Sequence, residues 1–113
     1  METLLTKYQG FISRRLKRCI ETLTMKRREY TDEVNPFINF ECGAKTIDEV
    51  PDRIMFYYML KHFESFKDIV LNQKKVSRET WDEKVSDLMN YILIIDAYYQ
   101  IYKYERENED ISK

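Results

Sequence analysis

The chain has 113 residues, enough for one domain with a modest hydrophobic core. It contains only two glycines and two prolines, too few for the many turns of an all-β protein. The formal net charge is −1, so the overall charge gives no indication of nucleic-acid binding, and we expect no nucleic-acid partner. We predict a single all-α domain over residues 1–113, a small helical bundle of three main helices and one short helix.

Charge is distributed unevenly along this chain. Residues 1–28 carry eight basic and two acidic side chains, whereas residues 79–113 carry nine acidic and four basic ones. Two explanations are open. Either the two ends neutralise each other across a packed helix pair or a dimer, or the basic first helix binds phosphate.

The cysteines and the apolar runs indicate the cellular compartment. Cys19 and Cys42 make neither a disulfide framework nor a zinc-ligand spacing, and Cys19 falls on an apolar stripe, as expected of a reduced core thiol. No apolar run reaches membrane-spanning length, and the N-terminus lacks the pattern of a signal peptide. These features predict a cytoplasmic protein without a membrane partner.

The first predicted helix covers residues 2–30. Apolar side chains recur there at spacings of three and four residues, which draws one stripe along a helix: Leu5, Tyr8, Ile12, Leu16, Cys19 and Leu23. The pair Asn35-Pro36 then favours a helix stop, so we expect an aromatic loop over residues 31–50. Within it, Thr46 to Glu49 match a capping box, which predicts that a short helix begins there.

The second main helix is predicted over residues 51–74, with Pro51 in its first turn, and the third over about 77–107, with Ser77 as its cap. The third helix carries one stripe of Trp81, Val85, Leu88, Ile92, Ile95, Tyr99 and Tyr102, and a second stripe of Tyr91, Ile94, Tyr98 and Ile101. One short chain has few helices with which to cover two stripes. We therefore expect the bundle to be completed by homo-oligomerisation.

Acidic and amide side chains share one face of the third helix. Glu83 and Asp87 are four residues apart, and Asn90 lies one turn beyond Asp87. The two carboxylates, Glu83 and Asp87, could hold Mg²⁺ through oxygen ligands, or they could be solvated acids paired with nearby cations. Asp87 is also in line with Tyr91 on an increasingly apolar side, so it needs a partner or a shifted pKa.

A cationic cluster ends the first helix. It consists of Lys26, Arg27, Arg28, Glu29 and Tyr30. Three adjacent cations beside a tyrosine can clamp a phosphate and stack a base. Cations also suit a helix C-terminus for electrostatic reasons alone, so the cluster has two interpretations.

Other polar residues give weaker indications. Arg53 and Lys61 lie eight residues apart on one face of the second helix, where they either complete a phosphate site or solubilise the helix. His62 is the only histidine, and no cysteine or serine pairs with it in a pattern of nucleophilic catalysis. The chain also lacks a glycine-rich phosphate loop.

Two stretches together resemble a known family. They are Met25-Lys26-Arg27-Arg28-Glu29-Tyr30 followed by Asn35-Pro36-Phe37-Ile38-Asn39-Phe40, and then Trp81-Asp82-Glu83-Lys84-Val85-Ser86-Asp87-Leu88-Met89-Asn90-Tyr91. Over roughly residues 20–100 the chain is similar to the phage-enriched family called nucleotide modification associated domain 1. Members show Lys-x-x-Asp/Glu-Tyr, Pro-Phe-x-Asn-Phe and Asp-Leu-x-Asn-Tyr in this order. The resemblance implies nucleotide-related work in a phage or mobile-element protein.

A more distant similarity is to the all-α nucleoside triphosphate pyrophosphatases of the MazG and dUTPase type. Those enzymes hold magnesium with Glu-Glu-x-x-Glu on one helix and Glu-x-x-Asp on another. Here Glu83 and Asp87 are spaced by four instead of three, and the preceding helix has only Glu64 and Asp68 in place of paired glutamates.

The leading hypothesis is that the chain binds a nucleotide or nucleotide-derived small molecule in the host cytoplasm and sequesters it, as an anti-defence protein would. The side chains expected to bind this ligand are Lys26, Arg27, Arg28, Glu29, Tyr30, Phe37, Asn39, Phe40, Arg53, Lys61, Asp87, Asn90 and Tyr91. One alternative is a magnesium-dependent nucleotide pyrophosphohydrolase. The other is a helical interaction module in which the Trp81–Tyr102 stripe docks a partner helix.

Overall fold

A computed structural model of the chain describes residues 2–30 and 35–105, with the side chains of residues 25–30 outside the description. Its helices are α1 (Leu4–Tyr30), α2 (Ile38–Thr46), α3 (Pro51–Leu71) and α4 (Arg78–Tyr99), and a π-helical turn, Gln100–Tyr104, continues α4. No strand occurs in these ranges. The prediction of an all-α bundle with three main helices and one short one is confirmed. The end of the third predicted helix, residues 106 and 107, lies outside the described residues.

The predicted aromatic loop is wrong in its central part, which forms α2. The Asn35 side chain accepts a hydrogen bond from the backbone N–H of Phe37 at 3.0 Å and donates one to Glu41 at 2.8 Å. Asn35 and Pro36 therefore belong to a turn that leads into α2, which begins at Ile38, and the Asn35 side chain satisfies the Phe37 N–H of that turn. Residues 31–34 lie outside the described residues.

The capping box predicted at Thr46 is also wrong, because α2 ends at this residue. Asp48 adopts a left-handed backbone conformation with φ of 52°, and the N–H of Glu49 donates to the carbonyl of Ala44 at 2.8 Å. This bond closes the helix C-terminus. The chain then enters α3 at Pro51, as predicted.

An antiparallel hairpin of α3 and α4 is the main contact of the fold. Near its loop the rings of Phe66 and Trp81 lie 5.6 Å apart, and at its far end the Tyr99 hydroxyl donates to Asp52 at 3.1 Å. Ser77 caps α4 as predicted, since its hydroxyl accepts from the N–H of Thr80 at 3.0 Å.

Replacing Ser77 by alanine should lower the free energy of unfolding by about 1 kcal/mol, because the Thr80 N–H loses its acceptor. Urea denaturation followed by circular dichroism would measure the change. Ser77→Asp is the control, since a carboxylate accepts the same hydrogen bond and suits the positive end of the helix dipole. An equal loss in both variants would show that capping is not the cause.

Helix α1 runs parallel to α4. The Arg78 guanidinium lies 6.0 Å from the Phe11 ring, and Arg15 donates to the Ser86 hydroxyl at 2.8 Å. Residue numbers on both helices therefore increase in the same direction. Cys19 is fully buried. It lies one turn beyond Arg15 on the same helix.

The buried apolar core is small. Among the described residues it comprises Cys19, Phe37, Ala44, Ile54 and Met55. The Phe37 ring meets Tyr98 at 5.3 Å and Tyr102 at 5.9 Å, both edge-on. Tyr102 stands 4.8 Å from Tyr98, although the sequence pattern aligned it with Tyr99. Residues three and four apart are both neighbours on a helix, so Tyr102 can contact either tyrosine.

The apolar stripe from which oligomerisation was predicted is largely covered within the chain. Tyr91, Ile94 and Tyr98 are partly buried, with rings of α2 against both tyrosines. Exposed apolar side chains occur on α1, α3 and α4, and those on α1 include Leu5 at 62% and Ile20 at 63%. None of the helices described is long and apolar enough to cross a membrane.

Candidate functional site

Four ring side chains meet where α2, α3 and α4 come together. This aromatic cluster consists of Phe40, Tyr58, His62 and Tyr91. The Phe40 ring lies 6.1 Å from Tyr58 and 6.5 Å from Tyr91, and His62 stacks on Tyr91 at 5.0 Å with 23° between the planes. Tyr58 and His62 are four residues apart on α3, so they share the face that meets Tyr91.

Asp87 is the charged neighbour of the aromatic cluster. One of its carboxylate oxygens is 3.8 Å from Nδ1 of His62, which allows charge attraction but is too long for a hydrogen bond. Burial raises the pKa of Tyr91, and the nearby Tyr58 and Asp87 add to that rise. The Tyr91 hydroxyl is protonated at neutral pH, as an unperturbed tyrosine is too, and can donate a hydrogen bond.

Asn90 carries a buried amide at the middle of α4. The residue is 3% exposed, and neither its Nδ2 nor its Oδ1 has a hydrogen-bond partner among the described residues. Buried polar side chains almost always have a partner, because an unpaired one costs about 1–3 kcal/mol. On α4, Asn90 follows Ser86, which contacts α1, and precedes Tyr91 of the aromatic cluster. Its buried amide without a partner is the strongest indication of a binding function among the described residues.

A polar link between α1 and α4 lies one turn before Asn90. Arg15 donates to the Ser86 hydroxyl at 2.8 Å and to the backbone carbonyl of Asp82 at 3.0 Å, and its guanidinium pairs with the Asp82 carboxylate. The hydrogen bond from Arg15 lowers the pKa of Asp82. Arg18 adds a second cation at 3.6 Å. For these residues, basic side chains of α1 pair with an acidic side chain of α4, so the opposite charges of the two ends neutralise each other across a packed helix pair.

The structure places the other predicted ligand residues differently. Phe37 belongs to the core, and Asn39 is exposed on α2. Arg53 is exposed on α3 and pairs with Glu49 at 3.3 Å, while Lys61 is exposed on the same helix. Of the predicted set, Phe40, Asp87 and Tyr91 lie together, and Asn90 is buried on α4 one turn beyond Asp87.

The residues of the cationic cluster form the C-terminal end of α1. The side chains of Lys26, Arg27, Arg28, Glu29 and Tyr30 lie outside the described residues. Their role as a phosphate clamp stays a prediction.

The residues described do not supply a magnesium site. Glu83 is exposed and Asp87 faces His62, and no group of three His, Cys, Asp or Glu side chains in this part of the chain could hold an ion. A pyrophosphohydrolase needs several carboxylates around its metal. The donor set found here does not fit magnesium, so the enzymatic alternative would need ligands from outside the described residues.

A hollow of about 370 Å³ opens at the far end of the α3–α4 hairpin. It is lined by Asp52, Arg53, Phe56, Tyr57, Ile95 and Tyr99. Asp52 accepts the Tyr99 hydroxyl and lies 3.8 Å from Lys103, and the hydrogen bond to Asp52 raises the pKa of Tyr99. Only Oδ2 of Asp52 is paired in this way, because its buried Oδ1 has no hydrogen-bond partner among the described residues, whereas neither polar atom of the Asn90 amide has one.

No family model, curated protein or solved structure matches the chain. The resemblance to the nucleotide modification associated domain 1 family therefore rests on the motif residues alone.

Proposed function

We propose that the chain binds a planar, hydrogen-bonding small molecule of the nucleotide class beside α4 and does not turn it over. The observation that carries this proposal is the buried amide of Asn90, which has no partner among the described residues. A carboxamide offers a donor and an acceptor side by side. This is the pair with which asparagine recognises the edge of an adenine base.

The aromatic cluster offers the second element of base recognition, namely stacking. Phe40 and Tyr58 border the stacked pair of His62 and Tyr91, and Tyr58 is 54% exposed, so part of the cluster is open to solvent. Stacking of a base on an aromatic side chain contributes about 1–3 kcal/mol. Asp87 can accept a hydrogen bond from a sugar hydroxyl beside these rings.

Access to Asn90 requires that a covering element moves. Helix α1 is the candidate, because it packs mainly on α4 and its polar attachment there is Arg15 with Asp82 and Ser86. A ligand that hydrogen-bonds to Asn90 favours the open arrangement by its binding energy.

The motif resemblance supports the nucleotide class of the ligand. Binding without turnover suits a phage or mobile-element protein that withdraws a nucleotide signal in the host cytoplasm. The poor fit of the described residues to magnesium favours binding over hydrolysis.

Thermal unfolding against a panel of mono-, tri- and cyclic nucleotides, with and without magnesium, tests the proposal. A ligand at about 100 times its dissociation constant should add roughly 2.7 kcal/mol, which is several degrees for a domain of this size. We expect at least one nucleotide to shift the wild type without magnesium. A flat panel overturns the proposal, and pyrophosphate release in the same samples overturns binding without turnover.

Two matched phenylalanine variants locate the site. Phe40 belongs to the aromatic cluster, whereas Phe63 on α3 is a 41% exposed ring outside it. Phe40→Ala should abolish the nucleotide-induced shift and Phe63→Ala should keep it. A shift that survives Phe40→Ala places the ligand elsewhere.

We also propose that the chain self-associates, since α1 leaves apolar side chains in water. Soluble monomers seldom expose large contiguous apolar patches, whereas Leu5, Tyr8 and Ile20 are each more than 60% exposed. Trp81 and Tyr102, by contrast, already pack on Phe66 and Phe37 within the chain. Light scattering after size exclusion should give twice the chain mass of 13.9 kDa. The mass of a single chain at every concentration contradicts self-association.

A further inference from the structure

The apolar side chains on the exposed face of α1 have the same sequence intervals whether the helix is read forwards or backwards. Its members are Leu5, Tyr8, Ile12, Leu16, Ile20 and Leu23. The intervals of three, four, four, four and three residues are palindromic about residue 14. The first five side chains are 44–63% exposed, and Leu23 is partly buried. Cys19, predicted on this stripe, is fully buried, and Ile20 takes its place on the exposed face.

We infer that α1 pairs antiparallel with α1 of a second copy, about a two-fold axis that passes beside residue 14. This inference rests on the proposed self-association and names its surface. A two-fold interface requires that each contact between one residue and another occurs twice. The palindrome meets this requirement, because Leu5 then faces Leu23, Tyr8 faces Ile20, and Ile12 faces Leu16 of the second copy.

The charges of α1 leave the pairing face clear. Arg14, the residue nearest the axis, is two positions from both Ile12 and Leu16, so it points about 200° away from either one. Its guanidinium lies 4.7 Å from the Phe11 ring of its own helix. Arg15 is engaged with Asp82 on α4. The flank of the stripe away from α4 carries the uncharged residues Thr6, Gln9 and Ser13.

The apolar area is large enough for a specific dimer. Burying a large apolar side chain removes about 100 Å² of its surface from water. Six such side chains from each copy give roughly 1,200 Å², above the roughly 1,000 Å² that specific interfaces need. A second copy is the occupant that this geometry fits, because an antiparallel copy presents the same spacing and so meets the two-fold requirement.

Charge introduction at one facing pair tests the arrangement. Tyr8→Lys and Ile20→Glu should each weaken dimerisation at least tenfold, because each places a charge in an apolar contact. The double variant Tyr8→Lys/Ile20→Glu should restore dimerisation, since each introduced cation then faces the introduced anion of the second copy. Sedimentation equilibrium measures the dissociation constants, and circular dichroism confirms that each variant is folded.

Leu71→Glu is the matched control. It puts a charge on a 67% exposed leucine at the end of α3 and should leave the dimer intact. A monomeric wild type overturns self-association altogether. A wild-type dimer that both single variants leave unchanged overturns the α1 interface alone. Single variants that dissociate without recovery in the double variant overturn the antiparallel register.

Discussion

Replacing Asn90 by leucine should raise the free energy of unfolding by about 1–3 kcal/mol. The two side chains branch alike, and leucine removes a buried donor and acceptor that have no partner among the described residues. Thermal and urea unfolding would both report the gain, which corresponds to several degrees in Tm. The same variant should lose the nucleotide-induced shift, so that stability rises while binding disappears.

Ser86→Ala is the control for this prediction. Ser86 is buried on the same helix, one turn before Asn90, but its hydroxyl accepts a hydrogen bond from Arg15. Its loss leaves part of the Arg15 guanidinium without an acceptor, so this variant should be destabilised. If Asn90→Leu were destabilised in the same way, the Asn90 amide would be a structural group and the ligand proposal would lose its main support.

Phe37→Ala should destabilise the protein by about 3–5 kcal/mol, the range for truncating a buried aromatic side chain. Phe37 is 5% exposed, and its ring contacts Tyr98 and Tyr102, so its loss leaves a cavity between α2 and the end of α4. Urea denaturation at 25 °C would measure the loss. The result would assign Phe37 to the core, although the sequence placed it among the ligand-binding residues.

Two further variants make this assignment specific. Phe37→Leu keeps most of the volume and should cost less than about 1.5 kcal/mol. Phe40→Ala removes a ring that is only partly buried, so it should cost less stability than Phe37→Ala while removing ligand binding. A small stability loss in Phe37→Ala, combined with a lost nucleotide shift, would return Phe37 to the binding site.

The helical architecture follows from local signals that act within a few residues. Pro51 and Ser77 start helices in the structure where their backbone preferences and hydrogen bonds predict a start. The sequence pattern does not reveal α2 because proline commonly follows a helix end, whereas here Asn35 and Pro36 lie in a turn that leads into the next helix. The conformation of this segment depends on hydrogen bonds of Asn35 with Glu41 and Phe37, and the spacing of apolar residues does not reveal these contacts.

The candidate site was only partly predictable. The motif residues Phe40, Asp87 and Tyr91 were predicted. Their partners Tyr58 and His62 lie on α3, and the apolar side of this helix is too broad to show from sequence which face meets α4. The spacing of four between those two partners was the available signal. Several cations occur on α1, and the sequence does not show which of them contacts α4. The packing of α1 on α4 shows that Arg15 hydrogen-bonds to Ser86. Burial of the Asn90 amide is likewise a property of the folded chain alone.

The two cysteines differ in thiol accessibility, and this difference makes helix opening measurable. Cys42 is exposed on α2, whereas Cys19 has no exposed surface under α4. In a Cys42→Ser protein, a thiol-reactive reagent can modify the remaining cysteine only during local separation of α1 from α4. The labelling rate, followed by mass spectrometry, therefore counts openings of α1 around Cys19. A ligand that keeps α1 away from α4 accelerates labelling, so the buried thiol serves as a built-in reporter of the helix movement that the ligand proposal requires.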